Sequence, residues 1–335
     1  MVQEKVDSTL AAGQLRWPDA DLAYRGCIHP RDRGLIAFRE EQLNQQLTNM
    51  ETSMSQQASA TVVSLWRYPV KSMMGEELNA SAVTSHGLVG DRAYALVDNE
   101  TGKVVSAKNP KKWPDFFAFR AAYVSPPDPL IRTPVWITLP DGRVVRSDAS
   151  SAEQILSAAV SRSVSLRSKA PETASLEQYW PEREGEAQDV TSEAMAGDAP
   201  PGTFFDYAMV HLLTTSSIDQ LRALYPEGRF EVRRFRPNIV IDSQGQQGFV
   251  ENDWVGKTVR IGDSVRLEVT DPCPRCVMPT LAQGDLPYDP GIFKQGIMQN
   301  NVLVPFAGKP LPSIGVYAKV LAGGTVRRGD TIGIE

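Results

Sequence analysis

The pattern of apolar and polar positions changes character near residue 60. Upstream the chain is polar, with helical spacing of apolar residues only over 35–47, where it predicts one amphipathic helix, and a Gln/Ser/Met-rich run over 51–60 follows. Residues 1–60 read as an appendage and linker, disordered or helical. Downstream, short β-branched segments alternate with turn residues. Strands are predicted over 62–68, over 93–97 with a return at 103–105 around Asn99-Glu100-Thr101-Gly102, and over 135–139 and 143–146 about the turn Pro140-Asp141-Gly142.

Helical spacing recurs over 152–160 and 218–224, the second preceded by Thr214-Thr215-Ser216-Ser217, whose hydroxyls suit a helix N-cap. The Glu/Ala/Gly-rich segment 182–201 reads as a connection between two β-rich halves. A near-repeat, Thr258-Val259-Arg260-Ile261-Gly262-Asp263 and Thr325-Val326-Arg327-Arg328-Gly329-Asp330, predicts two hairpins. With strands over 239–241, 265–269 and 315–320, they predict a closed or nearly closed β-barrel. The expected class is mainly β with some α (α+β), with a smaller β-rich domain over 61–175 and a second domain over 176–335.

Composition narrows the partners. A chain of 335 residues with 41% hydrophobic content and a net charge of -5 has no global basic field for nucleic acid or anionic lipid, so an anionic ligand requires a local basic cleft. Apolar runs are short, and Met1-Val2-Gln3-Glu4-Lys5 lacks a secretory pattern. The expectation is a cytoplasmic protein with no membrane attachment.

Two of the three cysteines stand in Cys273-Pro274-Arg275-Cys276, which with Pro272 nearby reads as loop rather than buried strand. Four fates are open: core thiols; zinc ligands, for which only Cys27, His29, His86 and His211 remain as scattered partners; a redox dithiol, disfavoured because Pro279 stops a helix after Cys276; or a single thiolate on a soft metal whose other ligands come with an anionic cofactor. His211 and His86 read as core or surface histidines, and Trp254 as a core aromatic.

Five motifs occur in order: Tyr68-Pro69-Val70-Lys71-Ser72, Gly90-Asp91-Arg92, His211-Leu212-Leu213-Thr214-Thr215-Ser216, Arg234-Phe235-Arg236-Pro237-Asn238 and Cys273-Pro274-Arg275-Cys276. Over 62–334 the chain thereby resembles the MOSC domain proteins, named for molybdenum cofactor sulfurase C-terminal domains, and especially the bacterial YcbX-like proteins and the mitochondrial amidoxime-reducing component. The resemblance implies a MOSC-type β-barrel preceded by a smaller β-rich MOSC N-terminal domain. It implies the molybdenum cofactor (Mo-molybdopterin), with Cys276 as metal ligand and catalytic centre and Cys273 as a supporting thiol. Pyridoxal phosphate binding is a further family-level association.

The implied activity is reduction of N-hydroxylated or N-oxygenated small molecules; the alternative is a molybdenum cofactor or sulfur carrier without turnover. No cysteine cluster follows Cys276, so electrons are expected from a separate ferredoxin- or flavoprotein-type donor. A cofactor ending in phosphate needs cations and polar donors: Lys71, Ser72, Arg92, Arg236 and Arg275 are expected at the phosphate, and Thr214, Thr215 and Asn238 at the heterocycle. The loop 286–290 is the expected rim of a substrate pocket.

Overall fold

In β1 (Thr61–Arg67) the inward residues Val62 and Leu65 meet Ile241 and Ile239 of β13 (Ile239–Asp242), an antiparallel pair with a bulge between Val62 and Ser64. The computed structural model describes residues 60–180, 189–195, 197, 199–200 and 202–335, within a compact unit Ala58–Glu335. The helix expected over 35–47, Cys27 and His29 lie outside the described residues.

A nine-stranded sheet forms the frame, in the order β19 (Ile332–Ile334), β14 (Thr258–Ile261), β15 (Val265–Pro274), β17 (Lys309–Ala322), β12 (Val210–Thr214), β13, β1, β2 (Glu76–Leu78), with β16 (Asn301–Val304) also on β17. Only β12 and β13 run parallel in it. Between them stand two helices, α2 (Thr215–Leu224) and α3 (Val232–Phe235), as a parallel crossover demands; α1 (Ala152–Ala159) lies earlier in the chain.

The protein is mostly β with a few helices, as expected, and of the closed or nearly closed barrel only the closed form is excluded, since the sheet does not close. From Leu65 onward the outer edge of β1 is taken by β2, so only its first residues are free to meet the far end of the sheet. They do so through a single bridge, Thr61 to Thr331, with Val62 N donating to Asp330 O at 2.9 Å and Ile332 N to Ala60 O at 2.7 Å. The near-repeat also divides: β14 and β15 form the predicted hairpin, but β18 (Gly324–Arg327) pairs with β3 (Ala80–Thr84) while β19 pairs with β14. The two Gly-Asp turns therefore serve different sheets.

Smaller sheets complete the molecule: β3 also pairs with β4 (Gly87–Leu88), β5 (Ala95–Asp98) with β9 (Val164–Arg167), and β6 (Arg120–Tyr123), β7 (Val135–Thr138) and β8 (Val144–Arg146) form a meander. The segment read as a connection instead contains β11 (Asp189–Ala194), antiparallel to β10 (Ser175–Trp180). The residues of β11, Asp189-Val190-Thr191-Ser192-Glu193-Ala194, show no alternation of apolar and polar positions, so the strand pattern has nothing to register.

Two large cores pack the described residues, and the second takes in one motif cysteine. One lies under the large sheet and includes Leu65, Leu212, Ile239, Val269, Val316 and Trp254. The other gathers Val70, Met73, Leu96, Trp113, Phe116 and Leu156, and it is completed by Met278 and the half-buried Cys276 from the far half of the sequence. No helix among the described residues is long and apolar enough to cross a membrane.

Candidate functional site

Cys273 and Pro274 are the last residues of β15, so half of the motif is strand rather than loop. The prolines are tolerated because β14 pairs only with the first part of β15, through Glu268. Val269 still bonds Gly256 N and Lys257 O on that side; beyond it β17 is the strand that pairs with β15, Pro272 facing Val316 and Pro274 facing Ser313. Arg275 N then donates to Pro312 O at 2.8 Å before the chain turns at Met278–Thr280.

The motif opens on a cavity of about 730 Å³ lined from both halves of the chain. Lys71, Ser72, Arg92, Arg236, Asn238, Arg275 and Cys276 all reach it, as do Lys108 and Lys309. Six Lys or Arg side chains thus face two carboxylates, Glu193 and Asp206, in a protein whose overall charge is negative. This is the local basic cleft that an acidic chain needs to hold an anion.

Its geometry is held under strain. Ser72, Arg92 and Arg236 have φ of 62°, 47° and 55°, half of the six non-glycine residues with positive φ among those described. Such left-handed backbone costs about 1 kcal/mol or more per residue and collects where a side chain must be aimed. Arg236 is aimed by Met73 O, which accepts from Nη1 at 2.8 Å, and by the Tyr68 ring 4.1 Å below its guanidinium. Arg92 lies over the same ring at 4.8 Å and ion-pairs with Asp91. Burial brings Arg236 down to about 10 and pushes the Tyr68 phenol well above its ordinary value.

Asp206 is gripped by two lysines: Lys71, which also donates to Phe204 O at 2.8 Å, and Lys108 at 3.1 Å. Burial brings Lys71 down to about 8 despite Asp206. At Lys108 the same burial is outweighed by Asp206 and Cys276, which hold the ammonium above its usual range, while Asp206 is pulled far below the carboxylate range by the two lysines against burial.

Around the motif, Arg275 Nη1 donates to Cys273 Sγ at 3.0 Å and Nη2 to Phe235 O at 2.8 Å, while its buried Nε has no partner. Cys273 is buried; although burial alone would raise its thiol, His211, Arg275 and Tyr317 together draw it below the ordinary value. His211 is buried as expected but also lines the cavity. Its ring requires a glycine beside it: a Cβ on Gly315, at φ 76°, would fall 2.2 Å from Nε2. Both cysteines line the cavity and both are free; Cys273 is buried and Cys276 is the half-buried one of the pair.

Not every expected residue arrives. Thr214 and Thr215 do not line the cavity. Thr214 caps α2 by accepting from Ser217 N and bonds buried Glu251 at 2.6 Å, and Thr215 Oγ1 lies 3.5 Å from Asp242. Their hydroxyls are consumed where the sheet meets the helix. Asn238 borders the cavity, but its amide is spent on Asp91 at 2.9 Å, Trp66 O and His211 N, so it positions rather than offers a free donor. The loop 286–290 lies elsewhere, with Pro287 O accepting from Arg234 Nη2 at 3.0 Å. The outer wall comes instead from β11 and from Phe306, Ala307, Leu311 and Pro312.

Lys108, Asp206, Tyr207 and Tyr317 carried no warning in the sequence. Lys108-Asn109-Pro110-Lys111-Lys112 looks like a solvated turn, and Asp206 is a lone acid after two phenylalanines. Among the described residues no three His, Cys, Asp or Glu side chains are grouped to hold a bare metal ion. A metal at Cys276 would bring its other ligands with it. Nothing in the lining distinguishes pyridoxal phosphate from another phosphate, and that association gains no support here.

Comparison with known proteins matches residues 59–160 to the MOSC N-terminal beta barrel domain and residues 200–333 to the MOSC domain. Mitochondrial amidoxime-reducing component 1 of Mus musculus is 28% identical over 301 residues, covering 82% of each chain. Among solved structures, the YUAD protein from Bacillus subtilis shares 11% identity at a TM-score of 0.39, covering 82% of this chain and 95% of that one. YiiM from Geobacillus stearothermophilus shares 15% at 0.27, covering 49% and 73%.

Proposed function

Because the chain belongs to the MOSC domain family, we propose that its basic cavity binds the molybdenum cofactor through the Cys276 thiolate and reduces N-hydroxylated small molecules. The observation that carries this reading is the convergence of a half-buried thiol with six cationic side chains in one cavity of about 730 Å³. That volume lies in the range of cofactor sites.

The donor set fits the group. Arg92 and Arg236, stacked on Tyr68, and Lys71 and Lys108, paired through Asp206, would neutralise an anionic phosphate arm. Arg275 keeps a buried Nε without a partner, one donor open to a cofactor oxygen. When bound, the group supplies two-electron redox chemistry that side chains lack. Cys273 acts through Arg275, and the wall formed by Tyr207, Phe306 and Tyr317 limits water around the reacting atoms.

The reaction class is supported by the name of the mouse relative, an amidoxime-reducing component. An amidoxime takes up two electrons and two protons, loses its N–O bond, and leaves as an amidine and one water. Electrons would come from a separate ferredoxin- or flavoprotein-type partner.

Protein produced in molybdenum-replete cells should carry molybdenum that is lost in Cys276→Ser and largely retained in Cys273→Ser, and it should reduce benzamidoxime with a reduced viologen. Equal retention in the two variants would remove Cys276 as ligand. Cofactor release to an apo-acceptor without reduction would make the protein a carrier.

A further inference from the structure

Of the two carboxylates facing the cavity, Asp206 is already held by Lys71 and Lys108. Glu193 makes no ion pair among the described residues; its one hydrogen bond is from Thr191 Oγ1 to Oε1 at 2.8 Å. That bond is directed. Trp180 Nε1 donates to Thr191 Oγ1 at 2.9 Å, occupying a lone pair of the hydroxyl and turning its proton toward the carboxylate. Thr191 and Glu193 lie two residues apart on β11, on one face of the β10–β11 pair, and both are half-buried. One oxygen of Glu193 is thus fixed and the other remains for a ligand.

The surroundings say what that ligand is. A cationic group in a cavity with six Lys or Arg side chains is repelled unless a carboxylate meets it, and Glu193, which Lys108 feels at a distance but does not pair with, is the lining carboxylate outside any ion pair among the described residues. The same cavity holds a flat platform: the Tyr207 and Phe306 rings stack at 4.1 Å, and Phe306 is 46% exposed. Carboxylate and platform together suit a planar N–C–N group, which presents an N–H donor to the open carboxylate oxygen and a flat face to a ring.

We propose that Glu193 is a specificity-determining residue that receives the N–C–N end of N-hydroxylated amidines and guanidines and selects them over hydroxamic acids and N-oxides. The choice of reaction rests on the reading above, but the binding of an amidinium does not. Reduction turns a weakly basic amidoxime into a strongly basic amidine, so a carboxylate beside it becomes more favourable as the N–O bond breaks. Trp180 and Thr191 are positioning residues for that carboxylate.

Two measurements test this. Benzamidine should bind the wild-type protein saturably by calorimetry and bind Glu193→Gln about tenfold or more weakly, the loss of one charged hydrogen-bond partner; Thr191→Val should weaken it in the same direction by less. In turnover with a chemical reductant, Glu193→Gln should lower the ratio of kcat/KM for benzamidoxime to that for benzhydroxamic acid by a similar factor. Equal benzamidine affinity in wild type and Glu193→Gln, or no saturable binding to wild type, overturns the proposal, as does an unchanged ratio. Glu193-dependent benzamidine binding in a protein that carries no molybdenum and reduces neither compound upholds the recognition and removes the redox reading.

Discussion

Arg275 donates to the sulfur of Cys273 at 3.0 Å, so within one motif the buried first cysteine anchors the arginine while the second, half-buried, is the more exposed thiol of the shared cavity. The anchor has a measurable worth. Cys273→Ala should cost about 2 kcal/mol in urea unfolding, the loss of a charge-assisted bond in a buried setting. Arg275→Lys keeps the charge but not the two-point grip on Cys273 Sγ and Phe235 O, and sulfate affinity should fall about tenfold by calorimetry.

Lys71 gives the cavity a pH dependence. Burial brings its ammonium down to about 8, below the lysine value, so raising the pH through that point removes a positive charge from the lining. Sulfate, whose own charge does not change in this range, should therefore bind about tenfold more weakly at high pH than at neutral pH. Lys71→Arg should flatten the profile, because a guanidinium stays charged throughout. A flat wild-type profile would show that Lys71 does not face the anion.

Asp91 is a fully enclosed carboxylate that accepts from Tyr68 N at 2.8 Å and Asn238 Nδ2 at 2.9 Å and pairs with Arg92. Asp91→Ala leaves that guanidinium without its partner and should destabilise by roughly 3 kcal/mol or more in denaturant titration. Asp91→Asn keeps the shape and one acceptor and should cost less. The order of the two variants tests whether charge or shape holds Arg92.

Thr214 separates structure from binding. Thr214→Val should lower stability by about 2 kcal/mol, because the α2 cap is lost and buried Glu251 is left without one of its two hydroxyl donors. Sulfate affinity should stay within about twofold of wild type, since the residue does not touch the cavity.

The hydroxyl of Thr214 marks the limit of what the chain discloses before it folds. Local rules carry β1, the turn at Pro140, α1 and the cap of α2, because alternation, turn chemistry and a run of hydroxyls act over a few residues. Motif order brings Lys71, Arg92, Arg236 and Cys276 to one cavity. What it does not carry is how a hydroxyl is used: Thr214 looks the same whether it binds a ligand or a buried glutamate. Lys108 and Asp206 were invisible for the opposite reason, since each is ordinary in its own segment and acquires meaning only from the other, 98 positions away in sequence and 3.1 Å away in space. The fate of the second Gly-Asp turn was equally non-local, decided by β3 from the start of the unit.

The bridge between Thr61 and Thr331 joins the first strand of this unit to its final turn. Until Thr331 has left the ribosome that seam has no second half, and Lys71 waits for Arg275, made 204 positions later. An anion must then wait for β17, whose Lys309, Leu311, Pro312 and Tyr317 complete the cavity lining, and a nascent fragment ending before that strand has only part of the cleft to offer.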